Sequence, residues 1–504
     1  LSTILCIAAG APFLPALLEV ARRGVPDVLF TGDGAALELR VFNALHGIQL
    51  LGPYSLFGWS HPGPAYFYLA APFYALLGER GPALNVFALT VNAVTAVALV
   101  LAIHRLLGSV TAWIAAALLA AYILVGAPFL IANEWNPILP MLPLALLTFL
   151  VVPLAVGEST GLPIVALIAS AIVQTHVGYG APIATLLAVA FVARRRSERR
   201  PISRGARIIT AAGLAVCWAL PLYEAATARP GNIQWLIEFF APDNLAKQSW
   251  AVAWTALREQ AVVMPLAIVR AVGAGINASV GLQAFLFFAQ CALLVVVIAT
   301  SIRNRDRILA ALAIIPLAQW STAIVAVRAI RQPMAFYLVA WISVISLVAW
   351  IVICAWMVRM LERRYPKGAL LIGVLPAAVL MVAALGRAGE RPPVFREPDA
   401  VAEALARDVE TVLQGSLVGP PLVRIEWREG WSTAVAVVLS LTKRGVPVYV
   451  EDDWLYVTGS RFAAPPGRHP ELRFVQDGSV VPPADAIVSP AAARAGLAVY
   501  LVRN

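Results

Sequence analysis

The sequence predicts a polytopic α-helical membrane protein of about eleven transmembrane helices, with a small C-terminal α/β domain on the extracytoplasmic side. Three observations predict it. Of 504 residues, 60% are apolar and 13% charged, whereas soluble domains run about 45–50% apolar and about 25% charged. A mean hydropathy of +0.80 requires a solvent other than water, and the bilayer supplies one. Apolar runs of crossing length also recur throughout residues 1–385. Finally, charge is segregated. Residues 386–504 carry 14 acidic and 13 basic side chains, leaving 14 acidic and 25 basic before them, so the net +10 is −1 from the tail and +11 from the membrane part. A pI near 9.8 would also suit a nucleic-acid binder. The basic residues, however, form short clusters between apolar runs rather than a stripe interleaved with aromatics, so no nucleic-acid partner is expected.

Crossing a hydrocarbon core of about 30 Å takes about 20 helical residues. The runs near 1–20, 83–103, 109–127, 138–156, 162–175, 180–194, 206–223, 282–301, 308–326, 334–357 and 368–385 are read as the eleven spans. The first is read as an anchor rather than a signal peptide, because no small-residue cleavage site precedes Ala21. Lys and Arg in short loops are retained on the cytoplasmic side. With the first span running outward, the cytoplasmic loops hold 15 basic against four acidic residues, and the outer loops of 1–385 hold ten of each. The 64–80 segment would invert every later loop if it crossed, so it is read as a re-entrant or interfacial helix. This threading makes 1–385 a transmembrane module with long outer loops at 21–82 and 224–281, and places 386–504 outside with them.

In the tail, a helix over 399–414, a strand over 422–427, a helix over 431–444 and a strand over 446–450 form the expected α/β unit. Cys6, Cys217, Cys291 and Cys354 all lie in apolar runs without metal or disulfide spacing. No GxGxxG, Walker lysine motif or GxSxG is present.

Chemistry is therefore sought in the outer polar segments. The first loop holds Thr31-Gly-Asp33-Gly-Ala-Ala-Leu-Glu38-Leu-Arg40, then Trp59-Ser-His61-Pro-Gly-Pro64-Ala-Tyr66-Phe-Tyr68. Asp33 sits at a helix start beside the membrane surface, where burial or a nearby cation tunes a carboxylate for general-base or ligand work. Its structural alternative is an N-cap, and that of Glu38 and Arg40 is a solvated helix face. The second outer loop presents Asn133-Glu134-Trp135-Asn136-Pro137 between two spans, where an acid is costly unless functional or paired. His176 lies in the hairpin of spans five and six, on the same side as His61, with a structural hydrogen bond as its other reading. Arg328, Arg331 and Gln332 lie at the outer mouth between spans nine and ten. There a guanidinium suits two-pronged binding of a lipid phosphate, or else snorkels to headgroups.

The acidic loop after the first span, followed by His61-Pro62-Gly63-Pro64 opening an apolar helix, resembles the C-type glycosyltransferase superfamily (GT-C), integral membrane enzymes that use lipid-linked sugars. It is similar to protein O-mannosyltransferases and the lipid A aminoarabinose transferase, in which an acidic motif precedes a His-Pro-Pro or Lys-Pro-Pro element. The resemblance covers 31–80 well and the many-span layout loosely; the terminal domain lies outside it. One departure is that many relatives have adjacent acids, whereas Asp33 and Glu38 are five apart.

The resemblance implies a GT-C-like fold and an inverting glycosyltransferase of the EC 2.4 class in the inner or plasma membrane of the cell envelope. Its donor is a polyprenyl-phosphate-linked sugar, its acceptor a glycan, lipid or protein, and its surroundings membrane lipids. Asp33 is then the base. His61 and Arg331 hold the donor phosphate, with Arg328, Gln332, Glu38 and His176 as further binding candidates; the aromatic stripe from Trp59 to Tyr74 is read first as core and membrane belt, with Tyr66 or Tyr68 bordering a sugar as its other reading. Glu134 is a sugar-hydroxyl acceptor or the ligand of a divalent metal (Mg, Mn or Zn). The rival reading is a lipid or amphiphile transporter or flippase. Against it, charged residues avoid span centres and no repeated halves are visible. A membrane scaffold, the third reading, needs neither Asp33 nor His61.

Overall fold

A backbone in hydrocarbon must satisfy its N–H and C=O groups within the segment, which a helix does. In the computed structural model, which describes residues 2–195, 201–241, 247–331, 333–365, 369–415, 419–479 and 496–502, the apolar runs are helical. Ten helices among the described residues are long and apolar enough to cross a membrane. They differ from the eleven expected spans in three places. Two of the expected spans are the shorter helices Met141–Ala155 and Leu162–Thr175. The third difference is a correction: the 224–281 stretch, read as a loop, contains the 22-residue helical segment Trp250–Ala271. Arg258 and Glu259 interrupt its apolar run in sequence. In the fold Arg258 is buried and its Nε donates to Gln283 Oε1 at 2.8 Å, which satisfies the group that hides the helix from a hydropathy reading. The 64–80 segment forms Ala65–Leu76, too short to cross as a regular helix.

The chain divides into two compact units. One comprises Leu1–Arg22, Ala88–Ala219 and Phe240–Val394, and the other Arg23–Phe87, Leu220–Phe239 and Phe395–Asn504. The first outer loop thus shares a unit with the terminal domain, which a linear division at residue 385 does not anticipate.

Of the crossing-length helical segments in the first unit the most enclosed is Phe336–Arg364, whose main helix Ile342–Arg364 is packed by Ser109–Ala121, Arg307–Arg328 and Trp250–Ala261. Its small hydroxyl residues let neighbours approach and give them partners, as is usual where lipid supplies no hydrophobic drive between helices. Ser343 Oγ lies 2.7 Å from Tyr122 Oη, and Ser346 Oγ donates to the Ala261 carbonyl at 2.6 Å. Elsewhere apolar side chains remain exposed, as on Val280–Arg303 with Phe285, Phe288, Val295 and Val296. Such faces suit acyl chains rather than water.

In the second unit, the helix Gly32–His46 is packed on one side by Ala65–Leu76 and on another by Trp431–Lys443. Trp431–Lys443 is apolar nearly all round and is buried from Ala434 to Leu441, as such a helix must be. It joins two parallel strands, β1 (Leu422–Ile425) and β2 (Tyr449–Val450). Strands β3 (Glu471–Gln476) and β4 (Leu497–Val502) complete a sheet of order β2-β1-β3-β4, with β1 and β3 parallel and β3 and β4 antiparallel. The expected helices at 399–414 and 431–444 are Ala400–Gly415 and Trp431–Lys443. The strands are shorter than expected for local reasons. The N–H groups of Glu426 and Trp427 both reach the Phe474 carbonyl, ending the β1 ladder, and Pro447 has no N–H to enter β2. Val423 and Ile425 of β1 face the core.

Candidate functional site

In the second unit, Asp33 is the second residue of Gly32–His46, with Thr31 as the N-cap residue. Asp33 is therefore not the cap, and its Oδ1 instead accepts a hydrogen bond from the Tyr54 hydroxyl. Gly32 permits this start. Its φ is +55°, and a Cβ there would stand 3.0 Å from Ser432 Oγ of the terminal domain. Burial raises the Asp33 carboxyl above its ordinary value of 3.8, while the Tyr54 hydrogen bond and the charge of Arg396 offset part of that rise. Burial first, and then the Asp33 charge, push the Tyr54 phenol upward, so it stays protonated and donates.

Tyr54 and His61 are held by one short hairpin. Its backbone pairs Ser55 with Trp59 and Pro53 with His61, at 2.8 Å each. Asn232 grips the hairpin through Ser60, accepting from its N–H at 2.7 Å and donating to its carbonyl at 2.8 Å. Asn232 is itself held by the buried Glu224 carboxylate, 3.1 Å from its N–H. The His61 ring is buried and meets Trp59 edge-on at 5.3 Å.

Glu38 and Arg40 correct the solvated-face reading, because both are buried. Lys443 Nζ and the Tyr74 hydroxyl donate to Glu38 Oε1 at 2.7 and 2.8 Å. Oε2 has no hydrogen-bond partner among the described residues. Burial raises the Glu38 pKa, with Lys443 opposing. This geometry makes Glu38 an internal anchor, not a group presented to a substrate. Arg40 donates to three carbonyls: Gly52 at 3.1 Å, Val457 at 3.2 Å and Tyr456. It thereby fixes the hairpin and the 456–457 segment together. Burial lowers its pKa to about 10, which leaves it charged at neutral pH. Tyr66 belongs to the core, 1% exposed and edge-on to Phe67 and Phe87.

Beside Tyr54 opens a pocket of about 240 Å³ walled by Tyr54, Trp431, Trp454 and Tyr456, with Leu56, Arg428, Glu429 and Val457 completing its lining. Trp431 and Trp454 lie nearly parallel at 6.2 Å, and Trp454 and Tyr456 at 6.1 Å. Tyr54 meets Trp431 and Tyr456 edge-on at 6.3 and 5.9 Å. Sequence reasoning missed these walls, and also Arg40 and Lys443 as supports. The only local signal was an aromatic-rich composition at 427–431 and 454–456.

The remaining predicted residues lie in the first unit. Glu134 is 1% exposed, next to Trp135, whose ring meets Tyr337 at 4.6 Å. Asn136 Nδ2 donates to the Thr175 carbonyl at 3.2 Å. His176 meets Tyr179 edge-on at 5.9 Å, and Tyr179 donates to the Pro137 carbonyl at 2.7 Å. Arg328 lies over the Trp250 ring at 4.2 Å, and Arg331 Nη2 donates to the Ala241 carbonyl at 2.7 Å. Gln332 lies outside the described residues. Among the described residues no group of three or more His, Cys, Asp or Glu side chains could hold a metal. Glu134 belongs to no such group among the described residues.

Fold and site together define an integral, polytopic α-helical membrane protein whose acidic helix start is enclosed with a small mixed-sheet domain. No protein-family model matches the chain, and no curated protein matches it in sequence. Among solved structures it is similar to ArnT from Cupriavidus metallidurans in the apo state, at 13% identity over 97% of each chain with a TM-score of 0.49. It is similar to the same protein bound to undecaprenyl phosphate at 12% identity, again over 97% of each chain, with a TM-score of 0.48. The arabinofuranosyltransferase AftD from Mycobacteria is similar at 17% identity over 84% of this chain and 29% of that one, with a TM-score of 0.37.

Proposed function

We propose that this protein is a membrane glycosyltransferase of the C type, moving a sugar from a polyprenyl-phosphate donor to an extracytoplasmic acceptor by one inverting displacement. The observation that carries the reading is the state of Asp33: half-buried, raised in pKa, and held through one oxygen by Tyr54. A base works best when its pKa approaches the working pH, and a carboxylate raised by burial moves in that direction. With Oδ1 occupied by Tyr54, Oδ2 is the oxygen for the acceptor hydroxyl. The acceptor oxygen bonds to the anomeric carbon as its proton passes to Asp33. The bond to the phosphate oxygen breaks, and polyprenyl phosphate leaves with the electron pair.

Within the unit that carries Asp33, His61 is the donor proposed for the leaving phosphate; within the first unit, Arg328 and Arg331 are proposed to bind a lipid phosphate. Exposed apolar helix faces suit the polyprenyl chain.

Purified protein incubated with a panel of polyprenyl-phosphate sugars tests the reading. Asp33→Asn is expected to lower transfer by about 10²–10⁴-fold, the usual contribution of a positioned base, with donor binding retained. Turnover at the wild-type rate by that variant refutes the assignment.

A further inference from the structure

We infer that the pocket walled by Tyr54, Trp431, Trp454 and Tyr456 is a binding subsite for a single saccharide ring. Three observations select that ligand. At about 240 Å³ the pocket is below the range of about 300–1,000 Å³ that holds drug-sized ligands, so it takes one ring rather than a polyprenyl chain. Its walls are aromatic, with Trp431, Trp454 and Tyr456 inclined by only 14° and 20° from one to the next. Aromatic faces carry negative quadrupole charge, and the C–H-bearing face of a pyranose or furanose presents the complementary weakly positive surface.

The lining also includes one exposed cation and one exposed anion, Arg428 and Glu429, and neither is in an ion pair among the described residues. A phosphate site calls for positive charge without a carboxylate beside it, and the Arg428 guanidinium in the lining opposes the organic cation that an aromatic cage would otherwise hold. A guanidinium beside a carboxylate instead offers donors and acceptors together, which is what vicinal hydroxyls need.

The inference rests on the proposed function for the origin of the ring, an acceptor glycan or the donor sugar, and Tyr54 joins it to that chemistry. One side of Tyr54 walls the pocket while its hydroxyl holds Asp33. A ring seated against Tyr54 is therefore one side chain away from the proposed base.

The test uses the full chain in nanodiscs. Methyl glycosides of glucose, galactose, mannose and arabinose are titrated by ligand-observed NMR, with tetramethylammonium as the cation control. At least one glycoside is expected to bind. Trp454→Ala is expected to weaken it about tenfold or more, and Trp454→Phe, which keeps an aromatic wall, by no more than about threefold. Failure of every glycoside to bind the wild-type chain, binding of tetramethylammonium alone, or unchanged affinity in Trp454→Ala overturns the inference. In transfer assays, a KM raised by Trp454→Ala for the acceptor alone identifies an acceptor ring, and one raised for the donor identifies the donor sugar. Asp33→Asn separates the two claims. Glycoside binding with wild-type turnover in Asp33→Asn removes the base and keeps the pocket. An inactive Asp33→Asn in a chain that binds no glycoside keeps the base and removes the pocket.

Discussion

Lys443 Nζ donates to Glu38 Oε1 at 2.7 Å, across 405 residues of sequence. Glu38 is fully buried and the Lys443 side chain is 23% exposed, so the pair is mostly withdrawn from solvent. Removing one partner of such a pair leaves an uncompensated buried charge. Lys443→Ala is expected to destabilise the protein toward the lower end of about 3–5 kcal/mol, measured as a loss of apparent Tm in detergent. The sign with pH follows from the raised Glu38 pKa. Between the ordinary glutamate value and the raised one, the folded state binds more protons than the unfolded state, so stability falls as pH rises. Without Lys443 the Glu38 pKa rises further and that fall extends to higher pH, so the variant's deficit is larger at pH 8 than at pH 5. An equal deficit at both would contradict the assignment.

Tyr54→Phe keeps the pocket wall but removes the hydrogen bond that lowers the Asp33 pKa. With Asp33 as the proposed base, whose carboxyl burial raises, the acid limb of the transfer rate is expected above the ordinary aspartate value of 3.8. It should move to still higher pH in Tyr54→Phe. A pH–rate profile whose acid limb stays in place or moves down would argue against Asp33 as the titrating base.

Arg40→Lys preserves charge but cannot reproduce a planar fork reaching three carbonyls. Hydrogen exchange is expected to speed up by about tenfold or more at both 50–61 and 454–458, because the lost charged hydrogen bonds contribute about 1.5–3 kcal/mol each. Faster exchange at only one of the two segments would mean that Arg40 does not couple them.

A Cβ at Gly81 would stand 2.5 Å from Glu38 Oε2 and 3.1 Å from the Phe30 ring. Gly81→Ala should therefore lower apparent Tm, by displacing a carboxylate tied to Lys443 and Tyr74. Gly161→Ala, where a Cβ meets nothing within 4 Å, serves as the control and should leave Tm near the wild-type value.

Arg331 donates to the Ala241 carbonyl at 2.7 Å, so Arg331→Ala tests two roles at once. As a phosphate holder, its loss raises the Kd for the polyprenyl-phosphate donor about tenfold or more, with little change in Tm. A Tm loss with unchanged donor affinity would leave Arg331 as a tie for the 241 segment alone.

Hydropathy was legible wherever a helix is apolar along its length, because lipid selects composition directly. It failed at Trp250–Ala271, where Arg258 finds Gln283 as a partner from a later helix. The terminal βαβ unit was legible from local patterning, whereas β3 and β4 were missed. The site divides in the same way. Asp33 was singled out from its place at a helix start after the first span, and it does lie in a half-buried, hydrogen-bonded setting. Tyr66, whose two readings were core and sugar neighbour, fills the core.

Sequence by itself determined the membrane class, most of the helices, the α/β character of the tail and the acid at the head of Gly32–His46. These follow from composition and short-range periodicity, which act within a few turns of chain. Only tertiary structure decided that Glu38 and Arg40 are buried supports, that Tyr54 holds Asp33, and that Trp431, Trp454 and Tyr456 complete a pocket begun some 400 residues earlier. The physical reason is that a carboxylate's environment, and the walls of a cavity, are set by whichever side chains packing brings alongside. In this chain those partners come from opposite ends of the sequence.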